Sequence, residues 1–207
     1  MPLTDVDLIQ HPAAPQRLVL LFHGVGGDAH NLRPLAHAIA EADPHACVVS
    51  VRAPHPCDLG AGYQWFSVRG VTEENRPARV SAALPEFIAT VRAWQQNTGI
   101  DAADTALVGF SQGAIMALAA GARDAPPALR IIALAGRFAT LPTHVAAAVR
   151  WHLVHGTQDN VMPLASANAA ASHLRALGAT PSLDIVAGLG HGIDTRVRDL
   201  VLAYLAT

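Results

Sequence analysis

The sequence predicts an α/β protein in which a mostly parallel central sheet of about six or seven strands carries helices on both faces. Short apolar runs of strand length alternate along the chain with longer segments of helical periodicity. The runs are almost continuously apolar, as expected of strands that are buried on both faces. A length of 207 residues suits one core, so we expect a single domain over residues 1–207.

Six segments have the length and composition of buried strands. They are RLVLLF (17–22), ACVVSV (46–51), TALVGF (105–110), RIIALA (130–135), WHLV (151–154) and SLDIV (182–186). A further strand around Val6 and Leu8 would lie at an edge of the sheet. Because parallel strands end at the same edge, the residues that follow these runs are the candidates for a shared site.

Helical periodicity fills the segments between the strands. The predicted helices are 31–41, 77–97, 112–122, 164–177 and a last helix from Val197 to Leu205. Asn31 is the expected N-cap of the first helix, and Pro85 should kink or restart the second. The longest irregular segment is 52–76, and a loop of that length in a compact domain is more often functional than decorative.

Composition and charge exclude several function classes. All 14 basic residues are arginines, so chemistry that depends on a lysine Schiff base or a phosphate-binding lysine is excluded. A net charge of −2 without a basic run gives no reason to expect nucleic acid as a partner. We expect reduced cysteines, no secretory signal, no stable membrane insertion and a cytoplasmic location. The sequence carries no signal for an oligomeric state.

The stretch GFSQG (109–113) places Ser111 between two glycines where a predicted strand ends and a buried helix begins. In that setting a tight turn projects the serine hydroxyl above the sheet, and the glycines let strand and helix approach each other. The motif alone is a weak signal, and the alternative is a turn in which Ser111 only caps the helix. Its position favours Ser111 as a nucleophile.

A serine nucleophile needs a base, and the base needs a partner that orients it. His191, in GLGHGID, follows the last predicted strand, whereas His155 ends its own strand and is the main alternative. Asp159 lies in the loop after His155 and is the preferred acid. Ser111, Asp159 and His191 therefore form the predicted triad, in the chain order nucleophile, acid, histidine.

Attack on a carbonyl carbon places negative charge on its oxygen, which requires hydrogen-bond donors already in place. The backbone N–H of Gln112 follows the nucleophile and is one candidate. The second is the N–H of Val25, in the glycine-rich loop HGVGGDAHN (23–31) after the first long strand. We expect these two amides to form the oxyanion hole.

A dinucleotide site and a metal site are the two cofactor alternatives. GVGGDA (24–29) fits a dinucleotide-binding turn, and Arg52 could suit a 2′-phosphate. Against that reading, Pro34 would fall inside the helix, and the acid expected about 20 residues later is missing. His152 and His155 lie three apart on a strand and point to opposite faces, which disfavours a shared metal ion. We expect no cofactor and no metal.

These pieces together resemble the phospholipase/carboxylesterase family of α/β-hydrolases, which includes acyl-protein thioesterases, and are most similar to small bacterial serine esterases. The matching stretches are LLFHGVGGDAHNL, RAPHP, YQWFSV, GFSQGA, HGTQDNVMP and GHGI, between residues 20 and 193. The resemblance implies an α/β-hydrolase fold without a large cap domain and assigns the same triad and oxyanion amides. It also implies that Trp65 and Phe66 line an acyl groove, although ordinary core packing would explain both equally well.

The predicted function is therefore that of a serine esterase, which hydrolyses carboxylic esters through an acyl-enzyme, with thioesters as a further predicted substrate class. Its partner would be a small-molecule ester or acyl substrate. Acyl-protein thioesterase and lysophospholipase activities are alternatives, but the extra glycine in HGVGGD departs from the thioesterase pattern. A catalytically silent binding protein of the same fold, or an NADP-binding oxidoreductase, would be the alternatives from other classes.

Overall fold

A seven-stranded sheet forms the centre of the computed structural model, which describes residues 6–207. The strands of this sheet are β1 (Val6–Gln10), β2 (Arg17–Phe22), β3 (Ala46–Val51), β6 (Thr105–Phe110), β7 (Arg130–Leu134), β8 (Arg150–Gly156) and β9 (Ser182–Val186). Two short strands, β4 (His55–Pro56) and β5 (Tyr63–Gln64), form a separate antiparallel pair. The six strands predicted from apolar runs are all present.

The strand order is β1-β3-β2-β6-β7-β8-β9. The edge strand β1 pairs with β3 in the antiparallel direction, and all the other pairs are parallel. The carboxyl ends of β6, β8 and β9 therefore lie at one edge of the sheet. This is the α/β-hydrolase arrangement that the sequence predicted, with no cap domain inserted.

Helices cover both faces of the sheet. They are α1 (Arg33–Ala42), α2 (Arg76–Thr98), α3 (Gln112–Gly121), α4 (Leu164–Ala176) and α5 (Thr195–Ala206). One apolar core joins the sheet to α2, α3 and α4, and a second joins it to α1 and α5. Side chains of β2 alternate between the two cores, with Leu18 and Leu20 in the first and Val19 and Leu21 in the second. This alternation explains why the strand sequences are apolar at nearly every position.

One local expectation was wrong. Asn31 does not cap α1: it lies within a turn of 3₁₀ helix (Ala29–Leu32) whose N-cap is Asp28, and its side chain accepts a hydrogen bond from the Asp28 N–H. The helix α1 then starts at Arg33, with Pro34 in its first turn, where a missing N–H costs little. Pro85 lies inside α2 and does not restart it, and Leu84 and Phe87 beside it are buried in the core.

None of the helices within residues 6–207 is both long enough and apolar enough to cross a bilayer. Over the same range, no three His, Cys, Asp or Glu side chains are grouped as a metal site would require. The helices serve the packing of the sheet, and the chemistry-bearing loops gather at its carboxyl edge.

Candidate active site

The turn between β6 and α3 holds Ser111 in an uncommon backbone conformation, with φ 52° and ψ −114°. Its N–H donates to the Leu134 carbonyl at the end of the adjacent strand β7, at 2.9 Å. A Cβ atom at Gly109 would collide with the backbone of α3, and one at Gly113 would collide with the Phe22 carbonyl of β2. The two glycines therefore permit the close approach that the sequence motif implied.

Ser111, His191 and Asp159 form one continuous hydrogen-bonded chain. The Nε2 atom of His191 lies 2.9 Å from the Ser111 Oγ, and its Nδ1 atom lies 2.7 Å from the Asp159 Oδ2. A carboxylate can only accept at Nδ1, so the neutral ring carries its proton there and leaves Nε2 free to accept from the serine. The ring of Phe110 packs against the imidazole, with 5.0 Å between centroids.

Asp159 is completely buried, yet its surroundings keep it charged. The Oδ1 atom accepts hydrogen bonds from the backbone N–H groups of Val161 and Met162, at 2.9 and 2.8 Å. Burial alone would raise the pKa of Asp159, but the Met162 N–H, His191 and the Val161 N–H together outweigh it and lower that pKa. The carboxylate is thus available to hold His191 near neutral pH.

His155, the alternative base, lies behind the acid rather than beside the serine. Its ring is buried, with Nε2 at 2.7 Å from the Met162 carbonyl and 3.5 Å from the Asp159 Oδ2. The Nε2–H group of His155 donates to the Met162 carbonyl and so helps to fix the loop whose backbone N–H groups bind Asp159. The sequence placed both His155 and His191 at the same edge of the sheet. In the structure the ring of His191, and not that of His155, is hydrogen-bonded to Ser111.

The two amides expected to form an oxyanion hole belong to two segments that meet at Ser111. Gln112 begins α3 directly after the serine, and Gly24, next to Val25, packs against the Ser111 side chain. Neither the Val25 N–H nor the Gln112 N–H donates to another atom of residues 6–207. Both donors are therefore free for a substrate oxygen.

The aromatic pair of the long loop is buried rather than exposed in a groove. Trp65 and Phe66 are 3% and 5% exposed, and Trp65 packs edge-on against Phe22 and Phe87. The alternative that these are core aromatics fits this placement, and contact with a substrate stays a prediction. Two arginines of the segment 52–76 are also engaged: Arg69 donates to the Asp58 carbonyl and Arg76 to the Glu73 carboxylate.

Sequence reasoning missed the side chain of Gln112. Its Oε1 accepts from the Trp65 N–H and its Nε2 donates to the Phe66 carbonyl, each at 2.8 Å, so it fastens the long loop to the nucleophile turn. The prediction used only the backbone of Gln112. A polar side chain at the start of an otherwise apolar buried helix was the signal that could have found this contact.

The chain is similar to known esterases along nearly all of its length. The sequence model of a family described as phospholipase/carboxylesterase matches residues 5–207. Esterase YpfH of Escherichia coli (strain K12) is 47% identical over 202 residues, which span 97% of this chain and 87% of that protein.

Solved structures agree with the fold. Esterase PE8 superimposes with a TM-score of 0.87 at 33% identity, covering 98% of each chain. A carboxylesterase of Bacillus cereus superimposes with a TM-score of 0.80, over 97% of this chain and 92% of its own, at 17% identity. At that identity the second likeness supports the fold alone.

Proposed function

The chain belongs to the phospholipase/carboxylesterase family and is an esterase, and from this premise we propose that it hydrolyses carboxylic esters through an acyl-enzyme on Ser111. The observation that carries the proposal is the hydrogen-bonded chain from Ser111 through His191 to a buried, charged Asp159. Each of the three side chains has the partner that its role requires.

In the proposed reaction, His191 Nε2 takes the hydroxyl proton as Ser111 Oγ attacks the ester carbonyl. Asp159 holds the ring in the required tautomer and stabilises the imidazolium that forms. The proton then passes from His191 to the leaving alkoxide, which departs as an alcohol. Water, deprotonated by the same histidine, attacks the acyl-enzyme and releases the carboxylic acid.

The amides of Val25 and Gln112 would receive the negative oxygen of the tetrahedral intermediate. A donor of this kind is worth about 3 kcal/mol of transition-state stabilisation. Gln112 follows Ser111 directly, Gly24 next to Val25 packs against the Ser111 side chain, and neither amide is engaged within residues 6–207, which supports this role.

The finer assignments rest on the sequence. Hydrolysis of thioesters, action on acylated proteins or lysophospholipids, and a cytoplasmic location remain predictions. The name of YpfH says esterase without naming a substrate, so a simple ester is the substrate class that we propose.

Active-site labelling tests the proposal directly. A fluorophosphonate probe should label the wild-type chain and fail to label Ser111→Ala, while p-nitrophenyl esters of increasing acyl length define the preferred substrate. One matched thioester in the same series separates ester from thioester preference. Labelling that persists in Ser111→Ala would place the nucleophile elsewhere, and an unlabelled, inactive wild type would favour a silent binding protein.

A further inference from the structure

Residues 62–66, the bracing segment, contact both sides of the proposed oxyanion hole, the loop with Val25 and the turn with Gln112. On one side, the Gly26 N–H donates to the Tyr63 carbonyl and the Tyr63 N–H donates to the Gly27 carbonyl, each at 2.8 Å. These bonds pin the loop that contains Val25. A Cβ atom at Gly62 would collide with the Gly26 carbonyl, so the segment and the loop are in direct backbone contact.

On the other side, the bracing segment is fastened to the residue that carries the second amide. The side chain of Gln112 accepts from the Trp65 N–H and donates to the Phe66 carbonyl. Gln112 is the first residue of α3, so these two hydrogen bonds tie the start of the helix, and with it the amide beside Ser111, to the bracing segment.

Trp65 is the residue that reaches both sides. Its backbone N–H binds Gln112, and its indole Nε1 donates to the His23 carbonyl at 2.8 Å. His23 precedes Gly24 and Val25, and its own ring is fixed because Nε2 accepts from the Ala53 N–H at 2.9 Å. One buried residue therefore links the two sides, with its indole bound to the chain before Val25 and its backbone N–H bound to the side chain of Gln112.

The energetic reason for such a link is preorganisation. Oxyanion donors accelerate a reaction because they are already in place when charge develops, and a misplacement of about 1 Å can cost about 10²-fold in rate. The loop with Val25 is rich in glycine and has little intrinsic rigidity. A hydrogen bond buried among aromatic rings exchanges little with water and can supply that rigidity.

We propose that Trp65 is a positioning residue for the oxyanion hole, acting through its indole N–H on the His23 carbonyl, rather than a wall of the acyl groove. The inference rests on the proposed serine esterase function. It assigns Trp65 an effect on the transition state, with little effect on the binding of the ester before it reacts.

Three buried tryptophans make a matched experiment possible. Trp65, Trp94 and Trp151 are 3%, 3% and 1% exposed, but only the Trp65 indole nitrogen has a hydrogen-bond partner within residues 6–207. Trp65→Phe, Trp94→Phe and Trp151→Phe all remove comparable volume from a buried site. We expect Trp65→Phe alone to lower kcat for a short p-nitrophenyl ester by about tenfold or more, with KM almost unchanged.

A boronic acid inhibitor reports on the oxyanion hole itself. Ser111 Oγ forms a bond to boron, its proton passes to His191, and the resulting tetrahedral boronate is an anion that places one of its hydroxyl oxygens in the oxyanion position. The affinity for this inhibitor should fall in Trp65→Phe by the same factor as kcat/KM. Urea unfolding of the three variants measures how much of any change is a general loss of stability.

An isosteric replacement removes the donor without making a cavity. Growth on β-(3-benzothienyl)alanine replaces each indole N–H by sulfur, and within residues 6–207 this deletes one hydrogen bond, that of Trp65. The substituted protein should retain its fold and lose kcat, and Trp65→Phe combined with the isostere at the other two positions should lose no more. The benzothienylalanine-substituted protein tests the role of the Trp65 N–H even if Trp65→Phe folds poorly.

The outcomes distinguish failure of the positioning role of Trp65 from failure of the proposed esterase function. An active wild type in which Trp65→Phe and the isostere change kcat no more than Trp94→Phe overturns the positioning role and leaves the esterase function intact. A change confined to KM would instead return Trp65 to the acyl groove. A wild type without esterase activity or fluorophosphonate labelling would remove the proposed function itself.

Discussion

Two serine–histidine contacts of the same length occur in this molecule. His191 Nε2 lies 2.9 Å from Ser111 Oγ at the carboxyl edge of the sheet, and His152 Nδ1 lies 2.9 Å from Ser182 Oγ where β8 and β9 pair. Each pair also has an aspartate near it, Asp159 in one and Asp184 in the other. Distance between serine and histidine alone does not distinguish them.

The partner of the second ring nitrogen distinguishes the two histidines. His191 has Asp159 on its Nδ1, whereas the Nε2 of His152 is buried without a partner in residues 6–207. Asp184 is engaged by the hydroxyl of Tyr204, whose ring stacks on His152. Burial first, and then the neighbouring charges of Arg130 and Arg150, lower the pKa of His152 to about 4.

The difference shows what makes a histidine usable as a base. A base must be oriented by a carboxylate that stabilises its protonated form, and donors must be available for the charge that develops on the substrate. The site at Ser111 has both features. The cluster at Ser182 has a histidine whose protonation is opposed by its surroundings, and we assign that cluster a structural role under α5.

The largest effect should come from removing each serine. Ser111→Ala should lower kcat by about 10⁶-fold because the attacking oxygen is lost, and leave the fold intact. Ser182→Ala is the matched control and should keep wild-type kcat. Steady-state hydrolysis of a p-nitrophenyl ester measures both, and substantial activity in Ser111→Ala would undo the assignment.

Replacing the aspartate should also lower kcat far more in the first cluster than in the second. Asp159→Asn should lower kcat by about 10⁴-fold, because the amide favours the wrong tautomer of His191. Asp184→Asn should change kcat little, since its hydrogen bond is to Tyr204. Equal losses in the two variants would mean that the second cluster also supports catalysis. Circular dichroism checks that both variants are folded.

The dependence of stability on pH tests the state of His152. In the folded chain its pKa is about 4, against about 6.5 for an unfolded histidine. As the pH falls between these values, the unfolded chain binds a proton that the folded chain does not, so stability falls. The contribution cannot exceed about 1.4 kcal/mol per pH unit.

His152→Phe, which retains a ring against Tyr204, should lose this part of the slope in urea unfolding measured from pH 7 to pH 4. The remaining slope should include His23, whose pKa burial also lowers. An unchanged slope in His152→Phe would show that the ring is protonated in the folded chain.

The smallest effect should come from Tyr204→Phe. It removes the hydroxyl that donates to Asp184 and keeps the stacked ring. We expect a loss of about 1 kcal/mol in the free energy of unfolding with unchanged ester hydrolysis. A loss of activity without a loss of stability would contradict the structural role of this cluster.

The sequence predicted the elements whose positions follow from periodicity. Buried parallel strands have a recognisable composition, and their carboxyl ends must meet, so Ser111, Asp159 and His191 could be brought together from their places in the chain. Contacts within the segment 52–76 could not, because a loop without periodicity does not indicate its partners. The bonds from Gln112 and His23 to Trp65 are of that kind.

The cap of α1 was missed for a related reason. Asp28 and Asn31 both suit an N-cap, and the sequence does not distinguish a helix from the 3₁₀ turn that precedes it. Pro85 disfavours helix by local propensity, yet α2 continues through it with Leu84 and Phe87 buried in the core on either side.

The positive φ of Ser111 has a consequence for engineering. Such a conformation costs a residue with a Cβ roughly 1–3 kcal/mol, a strain that glycine would not feel. Selection of variants for thermal stability alone would therefore favour Ser111→Gly, which is more stable but inactive. Screens for thermal stability of this protein should therefore also measure ester hydrolysis.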